Sequence, residues 1–242
     1  MKTDKPDDSH GEVVFEHLPS AKIPAGEATA AVLRQLIEDA PAVLEASRVN
    51  KRLEAEGKAM ANGIWPWSAG KAGNLHTLKE KYGISSAVIS AVDVIVGIGR
   101  LLGMDIINVP GATGYIDTDY EGKADAAIAA IKMHDLVYVH VEAIDEVSHA
   151  QDLKLKLQAI EDFDSRVVAR VLAAVGDDVN VAVLPDHPVP IAIGKHTRVP
   201  VPVAVRMAGV ESDDIEVFSE TSCLAGALGN MKADDFMNLL FL

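Results

Sequence analysis

The sequence is poor in cysteine, in aromatic residues, in basic charge and in long apolar runs. Cys223 is the single cysteine among 242 residues, so the chain cannot form an internal disulfide or hold a metal with a group of cysteines. Apolar segments are interrupted by charged residues well short of the roughly 20 that a bilayer crossing needs. These shortages exclude a disulfide scaffold, a cysteine-rich metal site and a membrane-spanning protein.

The balance of charge argues against nucleic acid as a partner. There are 36 acidic and 22 basic residues, which give a formal net charge of −14, and aromatic residues make up only 5%. No block of Lys and Arg with interleaved aromatics occurs. The first residues, "MKTDKPDDSHGE", have no apolar core of the kind a secretory signal needs, so we expect a cytoplasmic protein.

What the chain does contain is enough apolar residues, 49%, for one large α/β domain or two small ones. Residues 1–22 are polar and rich in turn formers, which predicts a tail or the remnant of an inserted region, followed by one domain over 23–242. The spacing of apolar residues from Glu27 to Lys58 predicts a bent helix or helical hairpin, kinked or split at Pro41 and ended by Gly57.

β-rich and helical runs alternate along the rest of the chain, which is typical of parallel strands joined by crossover helices. The strands of these pairs are "SSAVISAV", "DIINVPGATGY", "DLVYVHVEA" and "VNVAVLPDH", and "VPVAVR" with the segment ending "FMNLLFL" completes the set of pairs. The sequence thus predicts an α/β fold with a mostly parallel sheet flanked by helices. Ligands of such sheets bind beyond the carboxyl ends of the strands.

Carboxylates and imidazoles follow two of these strands and recur in one loop: Asp145 with His149, Asp186 with His187, and His196. Singly, each has an ordinary explanation, such as an N-cap beside a solvent-facing histidine. Jointly, they are the oxygen and nitrogen ligands of zinc, manganese and related cations. Two carboxylates and three imidazoles exceed one tetrahedral site, which favours a two-metal site of the kind used in phosphoryl chemistry.

Several motifs in this order resemble the alkaline-phosphatase superfamily, and in particular the archaeal-type cofactor-independent phosphoglycerate mutases. They are "IDEVSH", "LPDHPVP" and "GKHTRVPVPVAV", supported by "GIWPWSAGKAGNL", "VPGATGYIDTDYEGKADAA" and "KLQAIEDFDSRVV". The resemblance implies an alkaline-phosphatase-like fold. It also implies a metal-dependent phosphomutase that interconverts 3-phosphoglycerate and 2-phosphoglycerate through a phosphoenzyme, in glycolysis and gluconeogenesis.

The resemblance further implies two divalent ions and a phosphorylated small-molecule substrate. Asp145, His149 and His196 would hold one ion, and Asp186 with His187 would hold part of a second. Manganese is the expected metal, with zinc, magnesium and cobalt as alternatives.

Departures from the family pattern also bear on function. Family members open with an apolar strand ending in Asp-Gly, a dipeptide absent from this sequence. We therefore expect a C-terminal portion or shortened relative without the N-terminal strand, the nucleophilic Ser or Thr and most of the inserted domain. Such a chain would be inactive alone and would pair with a second copy or with the missing portion. Arg198 stands where the family commonly has an acid.

Two other functions are compatible with the motifs. One is a non-catalytic or partner-dependent metal-binding domain, and the other is a phosphatase or sulfatase of the same superfamily. His140 lies inside a predicted strand, and we interpret it as a buried imidazole bonded to a backbone group rather than as a ligand.

Overall fold

A computed structural model describes residues 1–9, 11–70 and 73–241 of the chain. It divides into two compact units, Met1–Asn74 and Leu75–Leu242. The predicted boundary after residue 22 differs from this division because the first residues are bonded within unit 1. Lys2 pairs with Ser20, and the Trp65 indole donates to the Asp4 carbonyl at 3.1 Å. Among the described residues, no helix has both the length and the apolar character needed to cross a bilayer.

Unit 1 contains the predicted bent helix as α1 (Glu27–Ala46) and α2 (Arg48–Ala55). Pro41 lies inside α1 without ending it. The break falls at Ser47 instead, where the backbone is extended and the hydroxyl accepts a hydrogen bond from Val49 N at 3.2 Å. A serine cap thus sets the bend, because it satisfies a backbone donor at the start of the second helix.

Unit 2 contains, among the residues that the structure describes, five strands and the remaining helices. The strands are β1 (Ser86–Ile89), β2 (Asp105–Ile106), β3 (Leu136–Val139), β4 (Val181–Val183) and β5 (Ala204–Arg206). The helices are α3 (Leu78–Tyr82), α4 (Asp93–Leu101), α5 (Tyr120–Ala130), α6 (Ala143–His149), α7 (Leu153–Asp162), α8 (Ala169–Ala174), α9 (Glu220–Cys223) and α10 (Ala233–Leu240), with a π-helical segment, Phe163–Val168, joining α7 to α8. β1 is buried along its length and pairs in parallel with β2 and β3, in the order β2-β1-β3. The predicted α/β class with a parallel sheet flanked by helices is confirmed.

The parallel pairing expected of the last two strands is wrong. β4 and β5 pair antiparallel in a sheet of their own, because residues 184–203 between them form no helix that could serve as a parallel crossover. Ala233–Leu240 of the segment ending "FMNLLFL" form the helix α10, with two acidic residues in its first turn and apolar residues at helical spacing.

The core of unit 2 lies directly beneath α6. Its fully packed members are Tyr120, Ala124, Ala143, Val147, Ala159 and Val167. Ala143 and Val147 are four residues apart and bury one face of α6, so the half-buried Asp145 and His149 occupy another face. Packing of the helix therefore decides where its carboxylate and imidazole point.

An ion pair links α5 to the π-helical segment. The Arg166 guanidinium donates to both carboxylate oxygens of Glu121, at 2.6 and 2.7 Å, and lies 4.7 Å from the centre of the Tyr120 ring. Hydrogen bonds from Arg166 lower the pKa of Glu121 from 4.5 to about 2. The stability that this carboxylate contributes is present above pH 4.5 and is lost as the pH falls towards 2.

We expect Glu121→Gln to lower the free energy of unfolding at neutral pH by about 1 kcal/mol or less, because the pair is partly exposed and screened. The deficit should shrink below pH 4.5, where the wild-type carboxylate begins to lose its advantage over the unfolded chain. Urea unfolding at both pH values measures it, with the exposed Glu161→Gln as control. A deficit that is constant with pH would contradict the assignment.

Candidate metal centre

α6 delivers the first two candidate ligands. The helix begins four residues after β3 ends, and it places Asp145 in its first turn and His149 in its last. Residues four apart lie on one helical face, and the His149 Nε2 atom is accordingly 3.3 Å from Asp145 Oδ2. The predicted Asp-x-x-x-His pairing is therefore present in the structure.

A backbone carbonyl orients the His149 ring. Its Nδ1 atom lies 2.8 Å from the Gly194 carbonyl oxygen. Since a carbonyl only accepts, this contact requires a proton on Nδ1, which in the neutral ring leaves the lone pair on Nε2. Nε2 faces Asp145 and His196, and metal-binding histidines commonly bond their other ring nitrogen to a carbonyl in this way. The sequence alone gave no sign of this bond, which joins positions 45 residues apart.

Two more imidazoles come from the irregular segment after β4. The rings of His187 and His196 stack with their centres 3.8 Å apart. His196 Nε2 lies 3.5 Å from Asp145 Oδ1 and 3.0 Å from His149 Nε2. The three histidines and Asp145 thus converge, although they come from two separate segments of the chain.

Two buried polar atoms at the centre of this group have no hydrogen-bond partner among the described residues. They are Asp145 Oδ1 and His187 Nδ1, which lie 3.8 Å apart. Leaving a buried acceptor unsatisfied costs about 1–3 kcal/mol. A cation between them would satisfy both, and ligand atoms of Asp145, His187 and His196 all lie within 4.8 Å of one another.

Asp186 stands apart from this group. Its carboxylate is 58% exposed, with one oxygen accepting from the His187 backbone N at 2.9 Å and the other 3.1 Å from His187 Nε2. The sequence grouped His187 with Asp186 in a second site. The structure brings His187 to Asp145 and His196 as well, so one imidazole lies between the two predicted sites.

Acidic neighbours of Asp145 were not singled out from the sequence. Ligand atoms of Glu142, Asp145 and Glu146 also lie within 4.8 Å of one another. Burial, and then the charge of Asp145, raises the pKa of Glu142. The sequence spacing could have shown that Glu142 lies close to Asp145, because residues three apart lie on one helical face. The cluster concentrates negative charge beside the imidazoles.

The His140 side chain is 11% exposed, close to the buried imidazole that was predicted, but the predicted backbone partner of its ring is wrong. The ring lies between two side chains, 3.1 Å from Ser90 Oγ and 3.1 Å from Glu142 Oε2. Parallel pairing of β1 with β3 brings these residues together at the strand ends. Burial lowers the pKa of His140. Beneath it, the fully buried Lys123 donates to the His140 carbonyl at 3.1 Å.

Solved structures with similar folds include a protein from Pyrococcus horikoshii, with a TM-score of 0.78 and 29% identity, matched over 90% of this chain and 57% of the other. A cofactor-independent phosphoglycerate mutase from Thermoplasma acidophilum has a TM-score of 0.56 and 28% identity, over 92% of this chain and 54% of the other.

Relatives found by sequence are also described as phosphoglycerate mutases. A 2,3-bisphosphoglycerate-independent phosphoglycerate mutase from Methanosarcina acetivorans is 48% identical over 97% of this chain and 59% of its own length. A second such mutase, from Methanothermobacter thermautotrophicus, is 41% identical over 99% of this chain and 59% of its own length. The chain therefore spans less than two thirds of these relatives. The model of the metalloenzyme superfamily matches residues 16–241. This match, together with the assembled carboxylate and imidazole donors, shows that the chain belongs to the metalloenzyme superfamily.

Proposed function

We propose that this chain carries the metal centre of a cofactor-independent phosphoglycerate mutase, which interconverts 3-phosphoglycerate and 2-phosphoglycerate. The observation that carries the proposal is the convergence of Asp145, His149, His187 and His196 around two unsatisfied buried atoms. The names of relatives up to 48% identical indicate the substrate. We propose that the enzyme is cytoplasmic and acts in glycolysis.

Asp145, His149 and His196 would hold one divalent ion, and Asp186 with His187 would contribute to a second. Carboxylate and imidazole donors suit manganese, zinc and cobalt. When bound, such ions neutralise a transferring phosphoryl group and lower the pKa of an attacking oxygen. The protein's own contribution is orientation: the Gly194 carbonyl fixes the His149 ring, and the packed face of α6 fixes Asp145.

A phosphoenzyme route requires a serine or threonine nucleophile beside the ions. The family pattern assigns none of the hydroxyl groups of these 242 residues to that role. We therefore propose that the metal centre acts together with residues that this sequence does not supply, and we expect the chain alone to bind metal without mutase turnover.

A chimeric enzyme tests the proposal. These 242 residues would replace the matching segment of the Methanosarcina acetivorans mutase, which is 48% identical. We expect manganese-dependent conversion of 3-phosphoglycerate, measured by coupling the product to enolase, and no conversion by the chimera with Asp145→Asn. A folded, metal-loaded chimera without turnover would contradict the proposed function.

A further inference from the structure

Two of the candidate ligands lie on one irregular loop, residues 187–197, here called the histidine loop. His187 opens the loop and His196 is near its end. The loop contains no helix or strand and is closed by hydrogen bonds from Thr197 N to Pro188 O at 3.0 Å and from Gly194 N to Pro190 O at 2.9 Å. Few internal bonds hold its shape, so its position depends on what it rests against.

The loop rests against the corner between α6 and α7. Gln151 turns this corner with a left-handed backbone, φ +56°. Gln151 N donates to Ser148 O, and Asp152 N donates to Val147 O, both at 3.1 Å. This helix-ending pattern ordinarily has glycine at the left-handed position, because a side chain there is unfavourable. An unfavourable residue at such a position suggests that its side chain has a task.

Three side chains of the corner bond to three carbonyls of the loop. Gln151 Nε2 donates to Ile191 O at 3.1 Å, and Lys156 Nζ donates to Val189 O at 2.8 Å. The third is the His149 contact with Gly194 described above. The loop also lies close at this point: a Cβ on Gly194 would be 2.9 Å from Gln151 Cγ and 3.0 Å from the His149 carbonyl.

We propose that Gln151 and Lys156 are positioning residues that hold the histidine loop so that His187 and His196 reach Asp145. Neither side chain is a ligand. Lys156 bonds to the carbonyl two residues after His187, and Gln151 bonds to the carbonyl four residues after it, so loss of either bond lets the loop move. Metal sites bind tightly when their supporting contacts fix the ligands beforehand. The inference rests on the metal-binding part of the proposed function and not on the mutase activity.

Gln151→Gly separates positioning from stability, because its two expected effects have opposite signs. Glycine suits the left-handed backbone, so the unfolding midpoint of the metal-free protein should be unchanged or higher. Loss of the amide should weaken Mn²⁺ binding about tenfold in titration calorimetry. Binding equal to wild type would overturn the role of Gln151, and so would a loss of affinity matched by a lower midpoint.

Lys156→Met tests the second anchor while keeping an unbranched stem. We expect about a tenfold loss of Mn²⁺ affinity and an altered Co²⁺ absorption spectrum, since the imidazoles would meet the ion differently. Lys156→Arg keeps a donor and should recover most of the affinity. Lys154→Met, on the exposed side of the same helix, is the matched control. Equal affinities for the Lys154→Met and Lys156→Met variants would overturn the role of Lys156.

Failure of the positioning role is distinct from failure of the proposed function. If the wild-type chain binds no Mn²⁺ or Co²⁺, the metal centre and this inference both fall. If the wild type binds and the Gln151 and Lys156 variants bind equally well, only the positioning role falls. Inactivity of the chimera alone would leave the binding result standing.

Discussion

Asp145→Asn is expected to abolish tight binding of Mn²⁺, with a loss of affinity of at least about a hundredfold, since changes in supporting residues alone commonly cost about 10–100-fold. Asp145 is the carboxylate shared by the group: Oδ2 faces His149 at 3.3 Å, and Oδ1 faces His196 at 3.5 Å. Titration calorimetry measures the affinity. Thermal unfolding gives a second measure, because saturating metal at about 100 times its Kd stabilises a protein by about 2.7 kcal/mol.

The same substitution should leave the metal-free protein folded and no less stable. Asp145 has Glu142 and Glu146 as close acidic neighbours, so removing its charge relieves repulsion. If the Asp145→Asn variant unfolds at a lower temperature than wild type without metal, the carboxylate has a structural role. Binding within a few-fold of wild type would contradict the placement of the ion.

Glu146→Gln distinguishes the two candidate groups that share Asp145. If the metal centre lies between Asp145 and the three histidines, the exposed Glu146 is dispensable and the variant should bind nearly as well as wild type. If the ion lies among Glu142, Asp145 and Glu146, this variant should lose binding and His187→Ala should not. We expect the first result, because the unsatisfied atoms are those of Asp145 and His187.

Local sequence predicted the part of the site that depends on local geometry. An aspartate and a histidine four residues apart meet wherever a helix forms, and the β-rich run "DLVYVHVEA" predicted the strand before them. The parallel pairing of β1 with β3 followed from the helices between them. The convergence of His196 with Asp145 was implied by the resemblance, and the structure brings them to 3.5 Å.

Contacts between distant segments of the chain could not be predicted from the sequence. The β-rich runs at Val181–Val183 and Ala204–Arg206 identify strands but not the direction of pairing, which is set by the connection between them. The sequence could not show that the Gly194 carbonyl holds His149, since any backbone carbonyl can accept such a bond. His140 was correctly expected to be largely buried, yet one partner of its ring, Ser90, comes from the end of the neighbouring strand, and the other, Glu142, lies two residues further along the chain.

Gly99→Ala should produce the largest loss of stability among single methyl additions to α4. A Cβ on Gly99 would lie 2.6 Å from Cγ1 of Val88, which is 1% exposed in the central strand β1. Neither the strand nor the helix can retreat without disturbing a packed sheet. Overpacking of this kind costs about 1–3 kcal/mol, and the better helix propensity of alanine offsets up to about 1 kcal/mol of it.

Gly97→Ala is the matched control for that substitution. It lies in the same helix, and a Cβ there would meet no heavy atom within 4 Å among the described residues. Only helix propensity then acts, so we expect a gain of about 0.5–1 kcal/mol in the free energy of unfolding. Urea unfolding of both variants should give opposite signs. Equal stabilities of the two variants would mean that α4 packs against β1 less closely than the Val88 contact indicates, because a side chain at position 99 would then meet no steric obstacle.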